Sequence, residues 1–80
     1  MYILEQEKRA EELIASGEAE EAFKLCEVIA AYWYDEEKNC DQAGEYSEGS
    51  RAGRRGDGWR KRAADLRRSL ASLTTDENQQ

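Results

Sequence analysis

Hydrophobic residues recur at helical spacing in three segments of this chain. In the longest segment, five residues three or four positions apart form one helical stripe: Ala19, Ala22, Cys26, Ile29 and Trp33. Other apolar residues widen that stripe over most of the circumference: Phe23, Leu25, Val28, Ala30 and Tyr32. A helix that is exposed to solvent on one side needs an apolar face of only about 100°. We therefore expect this helix to contact two or more neighbours, from its own chain or from a second copy.

A first helix is predicted over residues 2–15, where Ile3, Gln6, Ala10 and Leu13 follow heptad spacing. Gly17 can adopt the positive φ that ends a helix, and three glutamates follow it in what would be the next first turn. The two stripes are out of phase, which favours an antiparallel hairpin over one long helix. We expect the second helix to span residues 18–44.

The segment from 48 to 58 holds four of the six glycines and three arginines, and it offers no large apolar side chain. This composition predicts a flexible loop over residues 45–57. After the loop, a strict four-three stripe predicts a helix over residues 58–73, with Asp57 as its N-cap: Trp59, Ala63, Leu66, Leu70 and Leu73. Residues 74–80 carry no apolar side chain and are expected to fray.

The pattern as a whole predicts one small all-α domain over residues 1–80, an antiparallel helical hairpin plus a C-terminal amphipathic helix. An 80-residue chain buries only about 60–65% of its unfolded surface, so its own core gives marginal stability. Burial between subunits would supplement that core. We therefore expect self-association, as a homodimer.

The side-chain inventory argues against an enzyme. The chain has no histidine, which removes the commonest general base and the commonest metal ligand. Cys26 and Cys40 would lie roughly 21 Å apart on one continuous helix, beyond disulfide reach. We expect no catalytic residue, no metal site and no cofactor. The sequence has neither a signal-peptide pattern nor an apolar run long enough to span a bilayer, so we expect no membrane contact and a cytoplasmic location.

The aromatic triplet at the end of the second helix has two interpretations. Successive helical residues point about 100° apart, so three adjacent rings cannot all enter one core. In the first interpretation, Trp33 is core and the flanking tyrosines are boundary or exposed. In the second, the rings and the acids after them form a partner-binding site, because Trp and Tyr dominate many interfaces. That candidate site comprises Tyr32, Trp33, Tyr34, Asp35, Glu36 and Glu37.

Charge is strongly segregated along the chain. Residues 1–50 carry a net charge of −10 and residues 51–70 a net charge of +6. The basic helix can neutralise the acidic hairpin internally, or each half can face a partner of opposite charge. For the basic half, the candidate anion or nucleic-acid site comprises Arg51, Arg54, Arg55, Arg60, Lys61 and Arg62. The last three would sit in the first turn of the last helix, where the helix dipole favours a bound anion.

These features predict a non-catalytic protein–protein interaction module that blocks a protein partner with a basic surface, for example a nucleic-acid-binding protein, as an inhibitor or adaptor. A dense carboxylate face presents negative charge to lysines and arginines much as nucleic acid does. In size, charge and composition the chain resembles the small acidic helical inhibitors that phages and mobile elements encode. The alternative function is nucleic-acid or phosphate binding through the Arg-rich 51–62 segment.

Overall fold

A computed structural model describes the backbone of residues 2–78 and the side chains of residues 2–72. It contains three helices: α1 (Ile3–Ala15), α2 (Ala19–Gln42) and α3 (Tyr46–Asn78), and none of the described residues lies in a strand. The helix α2 packs against both α1 and α3. The predicted all-α, three-helix fold is therefore confirmed, and the two hairpin helices begin and end within two residues of their predicted bounds.

Both inter-helix turns have the same construction around a glycine with positive φ. In the first turn, Gly17 (φ 82°) donates its N–H to the carbonyl of Ile14, and the Glu18 N–H bonds the carbonyl of Leu13. The second turn repeats this pattern around Gly44 (φ 80°). This pair of bonds is the Schellman motif, which satisfies the last carbonyls of a helix and requires a residue without a Cβ penalty. The sequence therefore encodes two sharp reversals locally.

The predicted loop over residues 45–57 is wrong, because the whole segment after Glu45 is helical and forms the first third of α3. The heptad stripe of the last helix continues backwards through it, with small residues in the buried positions: Gly49, Ala52 and Gly56. Gly53 is buried beside them. These residues let α3 approach α2 so closely that a β-carbon at Gly56 would lie 3.0 Å from Cε1 of Tyr34. Close backbone packing thus overrides the low helix propensity of glycine.

Three further predictions about the last helix are also wrong. The last helix begins at Tyr46, so Asp57 is not an N-cap and Arg60, Lys61 and Arg62 do not occupy a first turn. The helix-dipole argument for an anion at those three residues therefore fails, since the dipole acts mainly within the first turn. The tail that was expected to fray from Thr74 is helical as far as Asn78, while residues 79 and 80 lie outside the described part of the chain.

The core is small and lies along α2. Its fully buried cluster consists of Ala10, Cys26, Ile29 and Ala63, of which only Cys26 and Ile29 exceed alanine in size. Larger apolar side chains pack around the cluster but are only partly buried: Ile3, Ile14, Phe23, Leu25, Trp33, Trp59 and Leu66. Much of the apolar surface therefore lies at the boundary between core and solvent.

Candidate functional site

The aromatic triplet points in different directions, as the helical geometry requires. The Trp33 ring is half-buried, and Tyr32 packs against it edge-to-face with 5.1 Å between ring centroids. Tyr34 turns towards α3, where its hydroxyl donates a 2.5 Å hydrogen bond to Oδ1 of Asp57. The three rings therefore do not share one surface, and each has a different structural environment.

A carboxylate on α1 fixes the two tryptophans of the chain. Oε2 of Glu7 accepts hydrogen bonds from the indole nitrogens of both Trp33 (2.9 Å) and Trp59 (2.8 Å). The three residues come from α1, α2 and α3, so this single oxygen joins all three helices. Sequence reasoning missed Glu7. The available signal was its spacing from Ile3 and Ala10, four and three residues away, which places an acid on the packed face of α1.

Two arginines of α3 lie over the faces of these tryptophans. The Arg55 guanidinium is 4.8 Å from the Trp33 ring centroid, and that of Arg62 is 4.6 Å from the Trp59 centroid. Arg62 also forms a 3.1 Å ion pair with Glu11 of α1. The ring faces attract cations, which contributes about 0.5–1 kcal/mol each at exposed sites. Arg55 and Arg62 thus have structural partners whatever else they bind.

The six basic candidate residues do not form one site. Arg51, Arg54 and Arg55 line one groove beside Trp33, whereas Arg60 lines a different groove together with Tyr34. Arg62 faces Glu11, and Lys61 is exposed. Because these residues are spread around a single helix with 3.6 residues per turn, their closeness in sequence does not bring their charges together.

The acids after the triplet also separate. Asp35 is exposed, while Glu36 and Glu37 are half-buried. The Glu37 carboxylate lies over the backbone of Gly53, and a β-carbon there would overlap it. The predicted partner-binding segment therefore contributes Tyr32 and Asp35 to the outer side of α2, whereas Tyr34 and Glu37 face α3.

Hydrogen bonding and burial change the acidity of two side chains here. The bond to Asp57 raises the pKa of the Tyr34 phenol and partial burial adds to the shift, while the neighbouring Arg60 opposes it. Burial raises the pKa of the Cys26 thiol, with Arg62 acting in the opposite direction. Both groups are therefore held in their neutral forms.

The best candidate metal ligands lie at the turn between α2 and α3. Cys40, Glu45 and Glu48 place one ligand atom each within 4.8 Å of one another. Desolvation and the surrounding carboxylates raise the pKa of the Cys40 thiol, Glu45 being the strongest of those charges. Since the thiolate is the form that binds metal and attacks electrophiles, this environment makes Cys40 a weak ligand and a weak nucleophile.

The outer side of the α1–α2 hairpin carries an incompletely covered apolar stripe. Leu25, Val28 and Tyr32 are spaced three and four residues apart, and Val28 is 46% exposed. A groove of about 360 Å³ runs beside them, lined by Gln6, Arg9, Leu13, Glu21, Lys24, Leu25 and Val28. Glu21 and Asp35 extend the same stripe, seven residues on either side of Val28.

No family model, curated protein or solved structure matches this chain. Within the described residues, no helix is long and apolar enough to cross a membrane.

Proposed function

We propose that this chain is a non-catalytic module that binds a basic amphipathic helix of another protein on the outer face of the α1–α2 hairpin. The observation that carries the proposal is the stripe of Leu25, Val28 and Tyr32, which is incompletely covered and is continued at its two ends by Glu21 and Asp35. A partner helix with apolar residues at matching spacing can lie along this groove.

Charge selects the partner. The hairpin, residues 1–44, carries a net charge of −8, with 12 acidic and 4 basic residues, and among the described side chains a single ion pair, Arg62–Glu11, joins α3 to it. Direct ion pairing between α3 and the hairpin is thus limited to this one contact among the described side chains. A basic partner would be steered towards the acidic hairpin, and its lysines and arginines would meet Glu21 and Asp35 at the two ends of the stripe, while Arg9 and Lys24 in the groove lining would oppose them. By occupying a basic surface, the module would act as an inhibitor or an adaptor.

Tyr32 and Asp35 have contact roles in this proposal, and Trp33 and Tyr34 have scaffold roles. The indole of Trp33 and the hydroxyl of Tyr34 are already hydrogen-bonded inside the domain. The homodimer expected from the sequence would compete for the same face. Two copies of the hairpin repel each other at long range, because each hairpin carries a net negative charge. We therefore favour a basic protein segment over a second copy.

The test uses two labelled synthetic helices with identical leucines, one carrying lysines and the other glutamates at the remaining positions. Anisotropy titration is expected to detect binding of the basic helix alone. Val28→Asp should abolish that binding with unchanged circular dichroism, since Val28 is almost half exposed. Removing the flanking charges (Glu21→Gln with Asp35→Asn) should weaken it roughly fivefold, about 1 kcal/mol.

The matched control removes the same number of charges elsewhere on α2 and the following turn, with Glu27→Gln and Glu45→Gln. This control should bind the basic helix like the unaltered protein. Equal weakening in both double variants would mean that net charge alone attracts the peptide, and the proposed face would be wrong. Light scattering of the protein alone gives its mass, and a dimer that Val28→Asp dissociates would assign this face to self-association instead.

A further inference from the structure

A second groove lies between α2 and α3, on a surface separate from the proposed protein-binding face. It has a volume of about 540 Å³ and is lined by Trp33, Glu48, Arg51, Ala52, Arg54 and Arg55. Three of its six lining residues are arginines at positions i, i+3 and i+4 of one helix, so their side chains share one side of α3. The groove therefore concentrates positive charge at the edge of a strongly acidic protein.

The three guanidinium groups are available for a ligand. Among residues whose side chains are described, none of the three forms an ion pair, whereas Arg62 and Arg68 do. Arg54 makes one long contact of 3.4 Å to the carbonyl of Ser50, and all three side chains are exposed. An arginine carries five N–H donors in a planar fork, so most of this donor capacity is free.

The wall of the groove is fixed by contacts already described. The indole of Trp33 is held by its hydrogen bond to Glu7, and Arg55 lies over that ring at 4.8 Å. Ala52 is buried and lines the groove, because small residues bring α3 close to α2 here. A helix and a pinned ring thus position the arginines more rigidly than the flexible loop expected from the sequence would.

We propose that this groove binds a phosphate group through Arg51, Arg54 and Arg55. The three non-bridging oxygens of a phosphate monoester, or the two of a phosphodiester, match paired N–H donors of guanidinium groups. The phosphate can come from a nucleic-acid backbone or from a small phosphate compound. Glu48 lines the same groove and opposes the anion, so binding is weaker than three arginines alone would give.

The experiment uses two probes, inorganic phosphate and a fluorescein-labelled oligothymidylate of about 12 nucleotides. Phosphate binding is followed by tryptophan emission at constant ionic strength against chloride, and oligonucleotide binding by anisotropy. Removing two arginines (Arg51→Gln with Arg54→Gln) should weaken binding at least tenfold. Glu48→Gln should strengthen it roughly threefold, because a competing charge next to the anion is lost. The matched control, Lys61→Gln with Arg67→Gln, should change it less than twofold.

The two probes distinguish the sources of phosphate. A nucleic-acid ligand is supported if the oligonucleotide binds more tightly than phosphate, with an affinity that falls as salt rises at a log–log slope of about −2 for three contacts. A small phosphate compound is supported if both probes bind alike and compete. Absence of binding by both probes overturns the proposal, as does equal weakening in the two charge-removal variants. The basic-helix assay on Arg51→Gln with Arg54→Gln should be unchanged, which separates this site from the proposed protein-binding face.

Discussion

Alanine substitutions at two neighbouring glycines of α3 should have opposite effects on stability. Gly58 lies inside the helix, and a β-carbon placed there would have no atom within 4 Å apart from the adjacent backbone of its own helix. A β-carbon at Gly56 would instead meet Cε1 and Cδ1 of Tyr34 at 3.0 and 3.1 Å and the carbonyl oxygen of Ala30 at 3.3 Å. The two positions share the same helix and the same residue type, so they isolate the effect of inter-helix contact.

The expected magnitudes follow from two competing effects. Alanine is more favourable than glycine in a helix interior by about 1 kcal/mol, so Gly58→Ala should stabilise the protein by about 0.5–1 kcal/mol. At Gly56 the same gain is opposed by overpacking, which costs about 1–3 kcal/mol when atoms cannot move aside. The Tyr34 ring is held by its bond to Asp57, and the Ala30 carbonyl belongs to the backbone. Gly56→Ala should therefore be destabilising by up to about 2 kcal/mol.

Urea unfolding followed by circular dichroism at 222 nm gives both free energies of unfolding. For a domain of this size, 1 kcal/mol corresponds to a change in Tm of about 4–8 °C, so thermal scans also resolve the two variants. A second measurement of Gly56→Ala in a Tyr34→Ala background supplies the control. Without the Tyr34 ring, Gly56→Ala should lower the free energy of unfolding less than it does in the unaltered protein, or raise it.

Equal stabilisation by Gly56→Ala and Gly58→Ala would refute the close packing of α2 against α3. Negligible effects at both positions would indicate that the segment is the flexible loop expected from its composition. Only a helix in contact with α2 at Gly56 and open to solvent at Gly58 predicts opposite signs.

Three further predictions concern single side chains. Glu7→Ala should destabilise the domain by about 1–3 kcal/mol and shift tryptophan emission, because two indole N–H groups lose a charged acceptor. Glu7→Gln should lose less stability than Glu7→Ala. Unchanged emission in Glu7→Ala would contradict the shared hydrogen bond. One tyrosine should ionise above its usual pKa of 10.0 in an absorbance titration at 295 nm, and Tyr34→Phe should remove that step. Since the folded-state pKa of Tyr34 is raised, the stability from its bond to Asp57 is present below pH 10.0 and is lost as pH rises through the folded-state pKa. Cys40 should react slowly with a disulfide reagent in the native protein and Cys26 only after unfolding, because Cys26 is buried; equal native rates would exclude this difference.

Hydrophobic periodicity allowed prediction of the fold class and the hairpin. The stripes of α1 and α2 and the glycine between them specify two helices and a reversal through local chemistry, so their bounds were predicted within two residues. The buried positions Ala10, Leu13, Cys26 and Ile29 belong to those stripes. Such features depend on residues close in sequence, which is why periodicity detects them.

The candidate sites depended on contacts that periodicity does not encode. In the structure the basic residues lie on separate surfaces, and the aromatic triplet is divided between the outer side of α2 and the contact with α3. Glu7 joins residues 26 and 52 positions away through one oxygen. Spacing on α1 gives the direction of this acid but not its partners, since those depend on the packing angles of α2 and α3.

By itself, the sequence determined three amphipathic stripes, the glycine turn at Gly17 and the segregation of charge along the chain. The tertiary structure decided whether residues 45–57 form a helix or a loop. It also decided the partners of Glu7, Trp33, Tyr34 and the arginines. The physical reason lies in glycine, which disfavours an isolated helix by about 1 kcal/mol per residue relative to alanine yet permits the closest helix–helix approach. That balance depends on whether a neighbouring helix is present, and only the packed molecule supplies α2.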